Sequence, residues 1–533
     1  MHSTSFPSAI NPAKVAQLGA TKLAELVQSQ AQTITSLGEQ IAALKHQLEW
    51  FKRQVFGHKS ERFAPEPNPT QLHLGEVLPV PGTLPESRKQ VPAHTRRVPA
   101  TDLAQAEAVP FFDESRVPVE TITVMDAAMK ALAPHEFDVI GEKVSYRLAQ
   151  RPGSYVVLKY VRPLIKRRDT QTLLCAPAPA GVLDGSRADV SFIAGLLVDK
   201  FLYHLPMYRQ HQRLTDNGIT VTRPWLTQLA QRGIGLLEPI VDAQLASIQT
   251  SRVKAMDETP IKAGRAGHGK LKTGYFWPVY GEQDEVCFPF FKSRAHEHVY
   301  ALLGLKHPPD AVLISDGYAA YQRYAEKTGL THAQCWAHAR RAFFDAQDSD
   351  PSGVAEALEQ IQAIYKIEAD IRERTLTGED KQCHRLTHSK PKVEAFFAWI
   401  DEQITRQGFT PSNPFIKALN YVRERRLGLE VFLSDPDVPI DTNHLERALR
   451  VIPMGRKSWL FCWTELGAKH VGIIQSLIVT CRLHGIDPYT YLVDVLQRVG
   501  QHPAARVAEL TPRLWKINFA DNPLRSDLYG LPT

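Results

Sequence analysis

The stretch AVLISDGYAAY, residues 311–321, decides the fold class. Ala311 to Ser315 is an almost wholly apolar run, the composition of a strand covered on both faces, and it stops at Asp316-Gly317. Upstream, SRVKAMDETPIK, TGYFWPVYG and EVCFPFFKS read as three short β runs, an antiparallel meander whose first two members are joined by a Gly-rich turn. HEHVYALLGL, between the meander and Ala311, has helical periodicity, and HAQCWAHARR begins a further strand or helix. Mixed strands with a crossover helix predict an α/β core, assigned to 250–344 and 436–465.

Working outward, 345–435 separates the two halves of that core. Val354, Leu358, Ile361, Ile364 and Ile371, then Val393, Phe396, Phe397, Ile400 and Ile404, mark apolar helix faces, so this stretch is expected to be an all-helical insertion. Residues 466–533 are expected to form a C-terminal helical region. Within 188–240, the run from Leu202 to Gly233 has the form helix, Asn217-Gly218 turn, Thr222 cap, second helix, a helix-turn-helix candidate. It would carry Arg223 in the first turn of the second helix, with Gln228 and Arg232 further along one side, placed for phosphates and base edges. An ordinary helical hairpin with a solvated face fits the same pattern. Residues 119–185 read as a small β-containing domain, with the run Tyr155 to Val161 followed by Arg162, Lys166, Arg167 and Arg168.

Toward the N-terminus, Val27, Ile34, Ile41, Leu48 and Val55 alternate with Leu23, Leu37, Leu44 and Phe51 in a heptad weakened by Gln30 and Gly38. That predicts a coiled coil over 20–55 and a homo-oligomer formed through it. Residues 64–118 carry ten prolines and few periodic apolar positions, which reads as an extended linker. The 533 residues imply three or four structural units, and 43% hydrophobic with 23% charged residues excludes a disordered chain. The apolar stretches Phe192–Val198 and Val471–Cys481 fall short of the roughly 20 residues that span a bilayer. The N-terminus lacks a secretory pattern, so a cytoplasmic, nucleoid-associated location is expected, with no membrane partner. Six cysteines without a CxxC pair suit free thiols, and a net charge of +6 permits an acidic polymer as partner without demanding one.

Asp257 ends a strand-like run and Asp316 closes an apolar one. Buried carboxylates protonate or find a cation, so two at the ends of core strands suggest a shared metal site. Hard oxygen ligands favour Mg²⁺ or Mn²⁺, and a pair of such ions can activate a hydroxyl and stabilise a leaving oxygen in phosphodiester displacement. Asp316 capping a turn and Asp257 pairing with a lysine are the simpler alternatives. PIDTNHLERALRVI supplies a third carboxylate, Glu446, on a helix capped by Asp441, with Leu445, Leu449 and Ile452 toward the core. A surface pair of Glu446 with Arg450 would account for the same spacing.

MDETP at 256–260, SDGYAAY at 315–321, CWAHARRAF at 335–343 and DTNHLERALR at 441–450 together resemble transposases of the insertion-sequence 66 type, in order and in spacing. The resemblance extends from the heptads and VFGHKSER through IGEKVSYRL to GRKSWLF and HGIDPYTYLVDVL, so it covers most of the chain. It implies a ribonuclease H-like core, a helical insertion before the glutamate, and Asp257, Asp316 and Glu446 as a metal-holding catalytic triad. The reaction implied is metal-dependent cleavage of DNA at the element's ends and strand transfer into a target. Companion proteins of the same element are possible partners. His338, Arg340, Arg341, Arg447, Arg450, Arg456 and Lys457 would then hold DNA or order the site, although each also suits a solvated helix face.

Two departures from the family pattern matter. Its members commonly carry a cysteine-rich zinc segment ahead of the helix-turn-helix, whereas this chain has no cysteine before Cys175, so that part of 119–185 is degenerate and no structural zinc is expected. The glutamate motif has Thr442, His444 and Leu445 where asparagines and small residues are usual. A catalytically inactive accessory or repressor protein that still binds DNA is therefore the alternative. Two decoys are set aside. Gly264 to Lys270 satisfies GxxxxGK, but Leu271 replaces the metal-binding Ser/Thr and the flanks are both strands. His332, Cys335 and His338 lack a fourth ligand at zinc spacing.

Overall fold

The computed structural model describes residues 111–529 apart from 126, 152, 268–269 and 406–412. The heptads of 20–55 and linker residues 64–110 lie outside the described residues.

In the first sheet β3 (Ser154–Arg167) is central: β1 (Val119–Thr123) runs parallel to it, and β2 (Phe137–Arg151) and β4 (Leu173–Cys175) run antiparallel. Strand alternation divides its side chains between two cores. Tyr155 and Val157 pack toward Phe192, whereas Val156, Leu158 and Tyr160 pack with Ala149 and Leu528. Phe112 and Val117, which composition places in the linker, are buried in the larger core, and Phe112 bridges to Ile219. Packed residues thus lie within the stretch read as linker, since two apolar anchors do not register as periodicity.

The helix Val190–Phe201 follows, buried on nearly every side and capped by Asp189, which accepts from Ser191 N at 2.9 Å. Helices Met207–Asp216 and Arg223–Thr250 flank the turn read from the sequence. Gly218 supplies its positive φ of +82°, and Thr222 Oγ1 accepts from Trp225 N at 3.3 Å. The second helix runs for 28 residues, far past the expected hairpin. It leaves the hairpin to pack on the helix Glu465–Leu483, where Gln244 Nε2 donates to Thr480 Oγ1 at 3.0 Å and to the Val286 carbonyl at 2.9 Å.

The meander forms with each of its three strands broken in two. β5 (Val253–Met256) and β6 (Thr259–Gly267) make the first, β7 (Lys270–Phe276) and β8 (Val279–Gly281) the second, β9 (Glu285–Cys287) and β10 (Phe290–Phe291) the third. Pro278 and Pro289 sit at two of the breaks, where a residue without an N–H ends the ladder. The halves separate into a small sheet, β10-β7-β6, and a larger one, β12-β11-β5-β8-β9. In the larger sheet β11 (Val312–Ser315) runs parallel to both β5 and β12 (Thr331–Gln334), and β8 and β9 are antiparallel. The helix Ala319–Thr328 makes the crossover from β11 to β12. Both faces of β11 are covered, which explains its unbroken apolar run: Leu313 packs with Trp277, Val299 and Tyr321, and Val312 and Ile314 face the opposite core.

From Trp336 to Ser434 the described residues are helical or in connecting turns. Trp336, Phe343, Phe396, Phe397, Trp399 and Phe415 form one aromatic cluster, and Trp336 Nε1 donates to the Leu429 carbonyl at 2.8 Å. Arg385, fully buried in a π-helical turn, ties this region together through Glu368 and the carbonyls of Phe432 and Val438.

Candidate active site

Asp257 follows β5 and Asp316 follows β11. The register pairs Val312 with Val253 and Ile314 with Ala255, and the same offset carried to the strand ends sets Asp316 beside Asp257. Parallel strands alone would leave these carboxylates facing each other uncompensated. Burial pushes the Asp257 carboxyl up to about 7, and the charges of Glu258 and Asp316 add to it, against the Glu258 N–H and the His338 ring. The Glu258 N–H donates to Asp257 Oδ1 at 2.7 Å, and Asp257 N donates to the Pro278 carbonyl at 3.3 Å. Asp316 Oδ1 accepts from Tyr318 N at 2.9 Å, so the aspartate closes its turn as well as standing next to Asp257.

Glu446 comes from the helix Asn443–Leu449, which begins one residue later than the sequence suggests. Asp441 still satisfies its first N–H: Oδ1 accepts from Asn443 N at 2.9 Å. Leu445 and Ile452 are fully buried, which turns Glu446 toward the helix Trp336–Phe344. There Glu446 Oε1 stands 4.0 Å from His338 Nε2. His338 Nδ1 is buried without a hydrogen-bond partner. The imidazole is the link between the glutamate and the aspartate pair, near enough to Asp257 to influence it electrostatically and 4.0 Å from Glu446. Among the described residues no three His, Cys, Asp or Glu side chains converge as a ligand set. The aspartates stand together, and Glu446, half exposed, lies beside His338.

Four neighbours, Glu258, Arg294, Tyr321 and Arg425, escaped the sequence reading. Glu258 is buried, receiving Arg294 Nε at 2.7 Å and Tyr321 OH at 2.6 Å; burial raises its carboxyl, with the charge of Asp316 adding to it. Arg425, from the helical region, donates through Nη2 to the Gly317 carbonyl at 3.3 Å and lies over the Tyr421 ring. The MDETP and SDGYAAY motifs contain Glu258 and Tyr321, so the signal for them was adjacency to the aspartates; nothing local marks Arg294 or Arg425.

The basic candidates fall into two groups. Arg340 and Arg341 on the His338 helix, and Arg447, Arg450 and Lys457 near Glu446, are exposed, while Arg456 Nη1 donates to the Pro260 carbonyl at 2.7 Å. Arg341 lies 3.7 Å from Asp345. Arg223, Gln228 and Arg232 are exposed on the long helix, with Arg232 Nη2 donating to the Asp184 carbonyl at 3.1 Å. The decoys resolve simply. Gly264 to Gly267 lie in β6 and Lys270 opens β7, His332 Nε2 lies 2.8 Å from Ser315 Oγ, and Cys335 accepts from Thr442 N at 3.3 Å.

An α/β sheet with an acidic pair at the ends of neighbouring strands, with Arg294 and Arg425 bound to the residues next to them, defines a class of proteins suited to phosphate chemistry. The chain belongs to the IS66 family of transposases: that family's model matches residues 185–470, more than half of the 533 residues. A model for the IS66 C-terminal element matches 476–513, and one described as transposase C of IS166 homeodomain matches 43–110, outside the described residues. Among curated proteins it is similar to the uncharacterized protein y4jD of Sinorhizobium fredii, 28% identical over 91% of this chain and 97% of the relative. The uncharacterized y4hP of the same organism is also 28% identical, over 89% of each chain. Family membership supports a transposase role and DNA as partner. No helix among the described residues is long and apolar enough to cross a membrane.

Proposed function

We propose that the chain cleaves DNA at the ends of its element and joins those ends to a target, with Asp257, Asp316 and Glu446 holding Mg²⁺ or Mn²⁺. One observation carries the reading: Asp257 and Asp316 stand side by side at adjacent parallel strand ends, with Asp257 pushed up to about 7 by burial. Two neighbouring, partly buried carboxylates suit a hard divalent cation, so the aspartate pair fits such an ion. The chemistry such a cation supplies is activation of a hydroxyl nucleophile and neutralisation of the leaving oxygen. The strand order β12-β11-β5-β8-β9, with one antiparallel arm and one parallel arm about β5, supports a ribonuclease H-like core. His338 orients Glu446, and Arg340, Arg341, Arg447, Arg450, Arg456 and Lys457 bind phosphates around the site. Arg223, Gln228 and Arg232 serve a second DNA contact on the helix-turn-helix, and self-association proceeds through 20–55.

Purified protein with element-end DNA and Mg²⁺ should nick and join strands, and Asp316→Asn should abolish both. Undiminished activity in that variant would remove the triad assignment. A second reading, a DNA-binding accessory protein without cleavage, is favoured by one observation: Glu446 lies against His338 and no three ligand side chains converge among the described residues. Salt-sensitive binding with no metal-dependent nicking by the wild type would select it.

A further inference from the structure

We infer that the surface formed by Trp463 and the β6–β7 hairpin is a stacking platform for unpaired bases at a DNA end, a deepening that rests on the transposase reading above. The surface is continuous with the site. β6 starts two residues after Asp257, and Arg456 from the helix Val451–Trp459 is anchored on the Pro260 carbonyl at 2.7 Å. At the end of that helix Leu460 takes a left-handed conformation, φ +65°, and is itself 66% exposed. A non-glycine residue held there is strained, and such strain persists only where the surroundings enforce it. The turn delivers the following residues onto the edge of β6: Cys462 N donates to the Lys262 carbonyl at 2.9 Å, and Gly264 N donates to the Cys462 carbonyl at 3.2 Å. Trp463 is thereby presented outward, 50% exposed, edge-on to Phe461 with ring centroids 5.0 Å apart.

An indole left half in water has no structural need to be there, since Phe461 already flanks it and Cys462 supplies the buried anchor. Its electrostatic setting points to the occupant. The Arg265 guanidinium lies 5.5 Å from the Trp463 ring centre, and Lys272 and Lys292 reach one carboxylate, Glu465, at 3.6 and 2.5 Å. Two lysines share that one carboxylate and Arg265 lies over the ring, which leaves a positive surface around an exposed aromatic residue. That pairing is how sequence-tolerant proteins hold single-stranded nucleic acid, with cations tracking the backbone and rings stacking on the bases. Gly264, at φ +73°, lets the hairpin close against this group: a Cβ there would meet Glu465 Cγ at 3.1 Å. Ala263, bridged to Cys462, is six residues from Asp257, at most about 20 Å of extended chain. A strand end reacting at the aspartates would therefore have its unpaired neighbours within reach of the indole.

The test uses the full chain, a duplex oligonucleotide, and the same duplex bearing an unpaired thymidine tail at its 3′ end. Trp463→Ala should weaken binding of the tailed probe about tenfold while leaving the duplex within about twofold. Trp463→Phe should retain most of the tailed-probe affinity, and Arg265→Ala should lower the salt slope by about one. Thermal melting of each variant should match the wild type, because the altered side chains are exposed. Equal losses on both probes, or no loss on either, overturn the platform. Wild type that binds neither probe overturns the transposase reading and this inference together, whereas wild type that binds or cleaves DNA with Trp463→Ala indistinguishable from it removes the inference alone.

Discussion

Arg294 Nε donates to Glu258 Oε1 at 2.7 Å, and through this pair the residue next to Asp257 is tied to the turn that carries Asp316. The same guanidinium stacks on the Tyr318 ring at 4.2 Å, Tyr318 OH donates to the Arg294 carbonyl at 2.7 Å, and Tyr318 N holds Asp316 Oδ1. Both aspartates thus share one frame. Arg294→Ala would leave the Glu258 side chain, 3% exposed, without its cation. Stripping a buried pair of one partner costs about 3–5 kcal/mol, but Arg294 is 45% exposed and water replaces part of it, so about 1–3 kcal/mol is expected. Denaturant unfolding measures that loss, and metal-dependent nicking should fall at least tenfold as the aspartates lose their alignment. Nicking at the wild-type rate would show that the frame is structural only.

A second coupling crosses from the helical region to the Asp316 turn. A Cβ on Gly317 would lie 2.5 Å from Arg425 Nε, and Arg425 cannot swing aside freely because Nη1 donates to the Tyr421 carbonyl at 3.0 Å and the guanidinium covers that residue's ring. Gly317→Ala should therefore destabilise the protein by about 1–3 kcal/mol and depress nicking. Gly317→Ala combined with Arg425→Ala should recover stability relative to the sum of the singles, since the clash is gone. Strict additivity in unfolding experiments would mean the two residues do not collide.

The secondary structure around the site was readable because it is local. The β11 run, the Asn217-Gly218 turn with its Thr222 cap, and the helical faces of Val354 and Phe396 each follow from period or turn chemistry within a few residues. The breaks in the meander were less visible, since Pro278 and Pro289 mark the ends of ladders but not which sheet each half joins. Partners distant in sequence left no mark at all. Arg294 is 36 residues from Glu258 and Arg425 is 108 from Gly317, and neither lies in a motif. The pairing of Asp257 with Asp316 depends on strand register, which periodicity does not specify between non-adjacent strands. The 20–55 heptads lie outside the described residues.

Arg385 bears on stability without touching the candidate site. It is fully buried, its Nε and Nη2 each 2.8 Å from Glu368, and its Nη1 donates to the Phe432 and Val438 carbonyls at 2.8 and 3.0 Å. Arg385→Met strands a buried carboxylate and two carbonyls, for an expected cost of about 3–5 kcal/mol. Adding Glu368→Leu should return part of it by removing the orphaned charge. A single variant as stable as the wild type in urea would show that the region relaxes to let water in.

Asp257 links stability to pH and to metal. Its carboxyl, raised to about 7 from an ordinary 3.8 by burial first and by Glu258 and Asp316 next, keeps its proton in the folded chain at pH values where the unfolded chain has released it. The stability from this group is fully present below about 3.8 and is lost as pH rises through about 7, so the metal-free protein should soften across that window. Asp257→Asn removes the titration and should melt a few degrees higher than the wild type at pH 8 without metal. Mg²⁺ competes with the proton for the same oxygens, so it should raise the wild-type melting temperature at pH 8 and hardly at pH 5, by mass action on the folded state. The asparagine variant should lose most of that response at both pH values. Identical melting of variant and wild type at pH 8, with the same Mg²⁺ response, would mean that Asp257 neither carries the buried charge nor holds the cation.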